Sequence, residues 1–289
     1  MAKQFLIHNK EYAGDNIQGQ RAAQEDDFGF DNSKASDFLM ILADGMGGHQ
    51  GGDYASHCAI KTFMDSYHIA TGEVDKRLWR ALHETNCQLG IEAKTKSELN
   101  GMGCTLVGAV FNGKQLEWIS VGDSPLWLYH AGQLRRLNAD HSMKPILQEM
   151  VQGGELTPEE AARHPNRNML RSALTGSQID LIDYPSVPLA LYPGDKLLLA
   201  SDGIFTLSER EIGKILQKEG SARQLVKEIL KTIEDKKRPG QDNTTILVIK
   251  IKDELLAIEK KKPKFWRWQI NVLFLLLIIS ILGLWIFNG

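Results

Sequence analysis

The segment FLMILADGMGGHQGG, residues 38–52, joins an apolar run to a glycine-rich turn, and the remaining elements can be placed around it. Its six leading apolar residues predict a strand that is covered on both faces. The strand ends at Asp44, and the glycines that follow allow a turn with positive φ and a close approach of backbone to a ligand. A carboxylate at the edge of a glycine-lined cavity could bind a hard cation, because such cations prefer oxygen ligands. Taken alone, the same Asp-Gly pair is equally typical of an ordinary turn.

The composition of the 289-residue chain excludes several classes of protein. The 34 Lys and Arg residues nearly balance 36 Asp and Glu residues, and the formal net charge of -2 gives no reason to expect nucleic acid as the main partner. The cysteines Cys58, Cys87 and Cys104 are scattered, without a C-x-x-C pair. This spacing excludes a disulfide framework and a zinc site, and it favours a reducing compartment.

The C-terminal part of the sequence differs from the rest because residues 270–287 are almost unbroken apolar sequence. As a helix this run would be about 27 Å long, close to the ~30 Å hydrocarbon core of a bilayer. Residues 253–269 are rich in lysine and also contain arginine and tryptophan. Positive charge is typical of the cytoplasmic flank of a membrane span and could attract anionic lipid, and tryptophan is typical of the membrane interface. We therefore expect a cytoplasmic domain at 1–252, a basic juxtamembrane linker at 253–269 and a single transmembrane tail anchor at 270–287.

Apolar periodicity and turn residues predict the other elements. Strands and helices are grouped rather than strictly alternating, which favours an α+β fold with antiparallel sheets and helices packed outside them. Residues 140–176 are polar and contain glycine and proline, so we expect a surface excursion with one helix capped by Thr157 and Glu160. The predicted elements are strands at 104–111, 115–121, 126–129, 196–200 and 246–251, helices from about 53 and at 75–94, and helices capped at Ser208 and Ser221.

Acidic residues stand at the ends of several predicted strands. Asp44 and Asp202 each end an apolar strand and precede glycine, Asp242 begins a strand, and Glu25 and Asp26 precede one. A desolvated carboxylate without a partner costs several kcal/mol, so acids at the ends of buried strands need a partner. A pair of divalent cations would serve all of them if the fold brings them together.

Five short motifs that contain these acids occur in a fixed order between about residues 14 and 251. They are Arg21…Glu25-Asp26, Asp44-Gly45-Met46-Gly47-Gly48, Gly122-Asp123-Ser124, Ser201-Asp202-Gly203 and Asp242-Asn243-Thr244-Thr245. Together they resemble the motifs of the type 2C (PPM) family, which are metal-dependent Ser/Thr protein phosphatases. The resemblance implies a four-layer α-β-β-α sandwich with a dinuclear Mn²⁺ or Mg²⁺ centre at one end.

The resemblance also implies which residues hold the two ions. Asp44 resembles the carboxylate that bridges both ions, and the Gly45 carbonyl resembles a further ligand. Glu25 resembles a ligand of one ion. Asp202 and Asp242 resemble ligands of the other.

Further roles are implied around this pair of ions. Asp26 resembles a residue that holds metal-bound water, and Asp123, together with Asp202, resembles part of a weaker third-metal site. Arg21 matches the arginine that grips the substrate phosphate, for which its forked guanidinium is suited. Residues 140–176 resemble the flap of the family, where substrate contacts vary.

The function implied is the hydrolysis of phosphoserine and phosphothreonine in proteins by water that two cations activate. With the predicted anchor, the reaction would take place at the cytoplasmic face of a membrane, near a membrane-associated Ser/Thr kinase. The alternative is a catalytically silent scaffold or sensor with the same fold and anchor. Cysteine phosphatases are excluded because none of the three cysteines is followed at short range by an arginine, and the Gly-Asn-His run of other metallophosphatases is absent.

At three positions the sequence departs from the pattern of the family. Met46 stands where many members have a histidine, a proposed general acid, so the acid that protonates the leaving group stays open. His49 is nearby but is typical of a solvated loop. Pro125 replaces the arginine that commonly follows Gly-Asp-Ser, which affects local structure or substrate contact more than the metals.

Overall fold

The computed structural model describes residues 10–33, 37–47 and 51–252. The predicted linker at 253–269, the predicted transmembrane helix at 270–287 and His49 lie outside these residues. Across the described ranges, we find no helix with the length and apolar character needed to cross a membrane.

Two antiparallel sheets form the centre of the described structure. The first has the order β1 (Lys10–Ile17), β11 (Thr244–Ile251), β10 (Lys196–Ala200), β7 (Leu126–His130) and β8 (Gln133–Arg136). The second has the order β2 (Asp26–Asp31), β3 (Phe38–Met46), β5 (Leu106–Phe111), β6 (Gln115–Val121) and β9 (Leu189–Ala190), while β4 (Gly103–Cys104) pairs with the end of β3. The predicted hairpin between β5 and β6 is confirmed.

Helices cover the outer face of each sheet. The helices α1 (Gly51–Ile69) and α2 (Val74–Thr95) pack on the second sheet, and α5 (Glu209–Gln217) and α6 (Ala222–Asp235) pack on the first. The shorter helices α3 (Lys144–Gln152) and α4 (Pro158–Arg163) belong to the long connection between β8 and β9. The three predicted capping boxes are present at the starts of α4, α5 and α6.

Alternation along β3 shows how the four layers are held together, since successive side chains of a strand point to opposite faces. Leu39, Ile41 and Ala43 pack with the α1 and α2 side. Phe38 and Met40 pack instead in the core between the two sheets. A third core joins the first sheet to α5 and α6. The α+β class and the two antiparallel sheets flanked by helices are therefore confirmed.

Two local expectations were wrong. The strand predicted to end at Asp44 continues to Met46, because Gly45 and Met46 pair with β4. Residues 140–176 are largely exposed, as expected of a surface excursion, but the single helix expected there is wrong. The segment contains α3 as well as α4, and antiparallel bridges join Ser142 to Leu170 and Cys104 to Leu174. The first bridge joins the two ends of the segment to each other, and the second ties its C-terminal end to β4, which periodicity within the segment could not indicate.

Candidate metal centre

A cavity of about 900 Å³ opens at one end of the sandwich, where the ends of strands from both sheets meet. Much of its remaining wall comes from residues 168–180, the C-terminal part of the predicted flap and the residues after it. All predicted site residues except Asp26 line this cavity: Arg21, Glu25, Asp44, Gly45, Asp123, Asp202 and Asp242.

Asp26 lies behind the cavity and joins the two sheets. It stands opposite Asp44 in the pairing of β2 with β3. Its Oδ2 atom accepts hydrogen bonds from Ser201 Oγ at 2.7 Å and from Thr245 Oγ1 at 2.8 Å. Thr245 belongs to β11 of the first sheet, and Ser201 directly follows β10 of the same sheet. Its Oδ1 atom is buried and has no hydrogen-bond partner among the described residues. Buried polar atoms rarely stay unpaired, so this oxygen indicates a site for a water molecule or a cation.

The backbone at Asp44 and Gly45 is fixed from several sides. The Asp44 N–H donates to Thr105 Oγ1 at 3.1 Å, and the Thr105 N–H donates to the Asp44 carbonyl at 2.8 Å. The Gly45 N–H donates to the Glu25 carbonyl at 3.0 Å. A Cβ atom at Gly45 would overlap the carbonyl oxygens of Gly52 and Glu25, so only glycine fits where these segments converge.

Asn243 has a positioning role that the sequence analysis did not assign, although it belongs to one of the quoted motifs. Its buried side chain accepts the Glu25 N–H at 2.9 Å and donates to the carbonyls of Gln18 at 2.8 Å and Ala23 at 2.9 Å. These three contacts clamp the loop that carries Arg21 and Glu25. Nothing in local periodicity could reveal them, because the partners lie more than 200 residues apart in the sequence.

The electrostatics of the site disfavour several ionised carboxylates in the absence of added positive charge. Desolvation, then the nearby charge of Asp26, raises the pKa of Asp44 well above its ordinary value. Desolvation, then the charges of Asp123 and Asp242, raises the pKa of Asp202 to about 7. Desolvation also raises the pKa of Asp26 to about 6, although two hydroxyl groups donate to it. Divalent cations reverse this balance because they favour the ionised form of every neighbouring carboxylate.

The donor set fits a pair of Mn²⁺ or Mg²⁺ ions, since such hard cations prefer carboxylate and carbonyl oxygens. Among the described residues, however, no group of three or more His, Cys, Asp or Glu side chains already has the spacing of a metal site. Two of the acids contact positive side chains of the chain: Asp242 with Arg21 at 2.5 Å and Asp123 with Lys144 at 2.9 Å. The acids therefore converge on one cavity, while their individual roles as ligands stay predictions.

The comparison with known proteins identifies the family. The pattern of the family described as Protein phosphatase 2C matches residues 13–248. The chain belongs to this family. The serine/threonine phosphatase stp of Listeria welshimeri is 34% identical over 235 residues, which cover 79% of this chain and 90% of that protein. The predicted enzyme class, a serine/threonine phosphatase of the 2C type, is confirmed.

Solved structures agree with this assignment. The serine/threonine phosphatase Stp1 of Staphylococcus aureus has a TM-score of 0.74 and 28% identity, over 84% of this chain and 95% of that chain. The catalytic domain of the phosphatase PstP, solved with two manganese ions, has a TM-score of 0.69 and 29% identity, over 84% of this chain and 99% of that chain. At the level of the family, the predicted pair of Mn²⁺ or Mg²⁺ ions is confirmed.

The far wall of the cavity is held in place by α2. Gly176, at a φ of 79°, lies so close to Gly90 that a Cβ atom built on Gly90 would stand 3.0 Å from the Gly176 Cα and carbonyl oxygen. Asn86, one turn earlier in α2, accepts the N–H groups of Thr175 at 3.2 Å and Gly176 at 2.9 Å. It also donates to the Ser177 carbonyl at 2.7 Å. Residues 175–177 therefore depend on a small residue in the middle of a helix.

Two glycine-to-alanine substitutions test this packing. Alanine in the middle of a helix is favoured over glycine by roughly 0.5–1 kcal/mol. Gly213→Ala in α5, where the nearest atom would be 4.0 Å away, should therefore raise the free energy of unfolding. Gly90→Ala should show no such gain, because the new Cβ presses on Gly176, and hydrogen exchange should accelerate at residues 174–178. Equal stabilisation by both substitutions, measured by urea denaturation, would contradict the close packing.

Asn243→Ala tests the clamp on the loop that carries Arg21. The substitution leaves the Glu25 N–H and two carbonyl groups without their partner, which should lower the free energy of unfolding by about 1–3 kcal/mol. Trypsin should cleave faster after Arg21, because the loop loses three of its tethers. The exposed Asn100→Ala serves as the matched control and should change neither quantity. An unchanged cleavage rate in Asn243→Ala would show that the loop is held by other contacts.

Proposed function

We propose that the chain hydrolyses phosphoserine and phosphothreonine in proteins with a pair of Mn²⁺ or Mg²⁺ ions held at the end of the sandwich. The observation that carries this proposal is the convergence of acids from strand ends of both sheets on one open cavity. Family membership and the manganese-bound relative support it. The acids that line the cavity are Glu25, Asp44, Asp123, Asp202 and Asp242, and Asp26 lies behind them.

Each residue around the ions has a proposed task. Asp44 would contact both ions and the Gly45 carbonyl would be a further ligand, Glu25 would hold one ion, and Asp202 and Asp242 would hold the other. When bound, such ions supply an activated water near neutral pH and neutralise charge on the phosphate. Asp26 would orient a water through its unpaired Oδ1 atom, because two hydroxyl groups already hold its other oxygen.

Arg21 is placed to receive the phosphate. Its side chain is 53% exposed and its guanidinium contacts Asp242 at the edge of the cavity. An exposed ion pair of this kind contributes about 0–1 kcal/mol, so exchange of the carboxylate for an incoming phosphate costs little. The fork of the guanidinium can then hold two phosphate oxygens and turn the leaving oxygen away from the ions.

The acid for the leaving group does not come from residue 46. Met46 lines the cavity, but its thioether carries no proton to donate. We infer that a water molecule in the open cavity protonates the departing serine or threonine oxygen. This assignment makes the leaving-group step depend on solvent access rather than on a histidine.

The catalytic proposal is tested with the purified full chain in detergent. With Mn²⁺ it should hydrolyse an aryl phosphate and a phosphothreonine peptide, and a chelator should stop both reactions. Asp202→Asn should lose at least about 10²-fold in kcat, the scale on which one electrostatic contact to a reacting group acts. Asp65→Asn, on the exposed face of α1, is the matched control and should retain full activity.

Two results would overturn the proposal. Activity that survives complete removal of divalent metal would exclude the dinuclear mechanism. A folded chain without activity at saturating Mn²⁺ would favour the silent scaffold or sensor instead.

We propose in addition that residues 270–287 anchor the chain in a membrane with the phosphatase domain in the cytoplasm. The support is the apolar run itself and the basic, tryptophan-rich segment before it. Anchoring would raise the local concentration of the enzyme near membrane-associated Ser/Thr kinases and their phosphorylated targets.

The anchor proposal predicts that removing the membrane anchor changes where the chain is found but not its catalytic activity. The full chain should sediment with membranes and resist a carbonate wash, whereas a chain lacking residues 264–289 should be found in the supernatant. Activity on a soluble phosphopeptide should be the same for both. Leu276→Arg with Ile279→Arg keeps the length but adds about 2.5–3.5 kcal/mol of insertion cost per charge, so it should behave like the deletion. Loss of catalysis on deletion would show that the tail contributes to the phosphatase domain.

A further inference from the structure

Asp123 is the acid of the cavity with the least access to an added ion. The resemblance implied that it forms a third-metal site together with Asp202, yet its Oδ2 atom accepts a hydrogen bond from Lys144 Nζ at 2.9 Å. The Asp123 side chain is 5% exposed and the Lys144 side chain 17% exposed. Breaking a shielded ion pair leaves a buried charge without its partner, so this pair is far more persistent than one at the surface.

Lys144 is also held by its surroundings. It is the first residue of α3, and its backbone N–H donates to Ser142 Oγ at 3.2 Å. Asp140 fixes that serine by accepting from its N–H at 2.9 Å and its hydroxyl at 2.6 Å. The Lys144 ammonium lies 4.7 Å from the centre of the Phe205 ring, a cation–π contact. The ammonium is therefore positioned by several elements and does not move as a surface lysine does.

Asp123 is fixed from its backbone as well. Its carbonyl accepts a hydrogen bond from Arg136 Nη2 at 2.9 Å, while Arg136 Nη1 contacts Asp140 at 3.1 Å. The same Asp140 orders the start of α3, so the two partners of the ion pair are tied to one network. These contacts fix the backbone at Asp123, and the ammonium of Lys144 holds its carboxylate.

Lys144 also acts electrostatically on Asp202, the second acid that a third ion would need. Phe205, whose ring contacts the Lys144 ammonium, belongs to the 3-10 turn Asp202–Thr206. The pKa of Asp202 is raised mainly by desolvation and then by Asp123 and Asp242, and Lys144 acts against that rise. One ammonium thus contacts Asp123 and favours the ionised form of Asp202.

We infer that Lys144 takes the place of a third divalent ion in this chain, so that the cavity binds two ions and no more. A further cation at Asp123 would have to take the carboxylate from the shielded ammonium and would then lie close to it. Two positive charges this close together repel strongly. The inference rests on the proposed dinuclear function. It also gives α3 a direct link to the metal centre, since the residue that begins this helix neutralises an acid of the cavity.

The number of bound ions tests the inference on the full chain. Mn²⁺ is titrated into metal-stripped protein, and unbound Mn²⁺ is measured by electron paramagnetic resonance. The wild type and Lys144→Arg should bind two ions. Lys144→Met should bind a third, at least about tenfold more tightly than any extra ion in the wild type, because the shielded like charge is gone.

Two further variants make the result specific. Lys144→Met combined with Asp123→Asn should return to two ions, because the released carboxylate is removed again. Lys61→Met, which removes an exposed and ion-paired lysine of α1, should stay at two. Circular dichroism checks folding, and Lys144→Gln replaces Lys144→Met if that variant does not fold.

The outcomes separate the inference from the function on which it rests. A wild type that binds three ions, or a folded Lys144→Met that stays at two, overturns the inference and leaves the dinuclear function intact. A wild type that binds no ions overturns the dinuclear function and the inference together.

Discussion

A single buried carboxylate, that of Asp26, joins the two sheets at the end where the cavity opens. It belongs to the second sheet, and the hydroxyl groups that donate to it come from Thr245 in the first sheet and from Ser201 directly after a strand of that sheet. A buried charge is costly unless it is fully paired, and the Oδ1 atom of Asp26 has no partner in the described part of the chain. The contact that closes the sandwich is thus incomplete by itself. A water molecule or an ion from the cavity would complete this contact. Asp26 therefore bears on both the stability of the fold and the function of the site.

Close backbone contacts make this convergence of strand ends achievable. Gly45 and Gly203 each follow an acid of the site, and at each a Cβ atom would overlap backbone of a neighbouring segment. At Gly203 the overlap would be with the Asn243 carbonyl, which brings the end of β10 against the start of β11. The glycines thus allow acids from distant parts of the sequence to share one small volume. Desolvation, and then the charges of the neighbouring acids, raise the pKa values of Asp44 and Asp202.

The sequence predicted what depends on local pattern and missed what depends on distant partners. Strand β10, the β5–β6 hairpin and the capping boxes follow from neighbouring residues, and the structure confirms them. The sequence analysis placed most of the predicted acids at strand ends. Strand ends gather at the edge of a sheet, and these acids do line one cavity. Asn243 and Lys144 could not be assigned in this way, since neither ends a strand as an acid and their partners lie 225 and 21 residues away. The order within residues 140–176 was missed for a similar reason, because one bridge joins Ser142 to Leu170 at opposite ends of the segment and the other reaches Cys104 in β4.

Two positive side chains compete with divalent ions for the acids of the cavity, and burial decides how each competition ends. Arg21 and Asp242 are both substantially exposed, so water and salt weaken their attraction and the arginine can exchange its carboxylate for a phosphate. Lys144 and Asp123 are shielded, and separating them would leave two charges uncompensated. The same kind of contact is therefore exchangeable at one side of the cavity and permanent at the other. We therefore propose that the exposed pair serves substrate binding, whereas the shielded pair sets how many ions the site can hold.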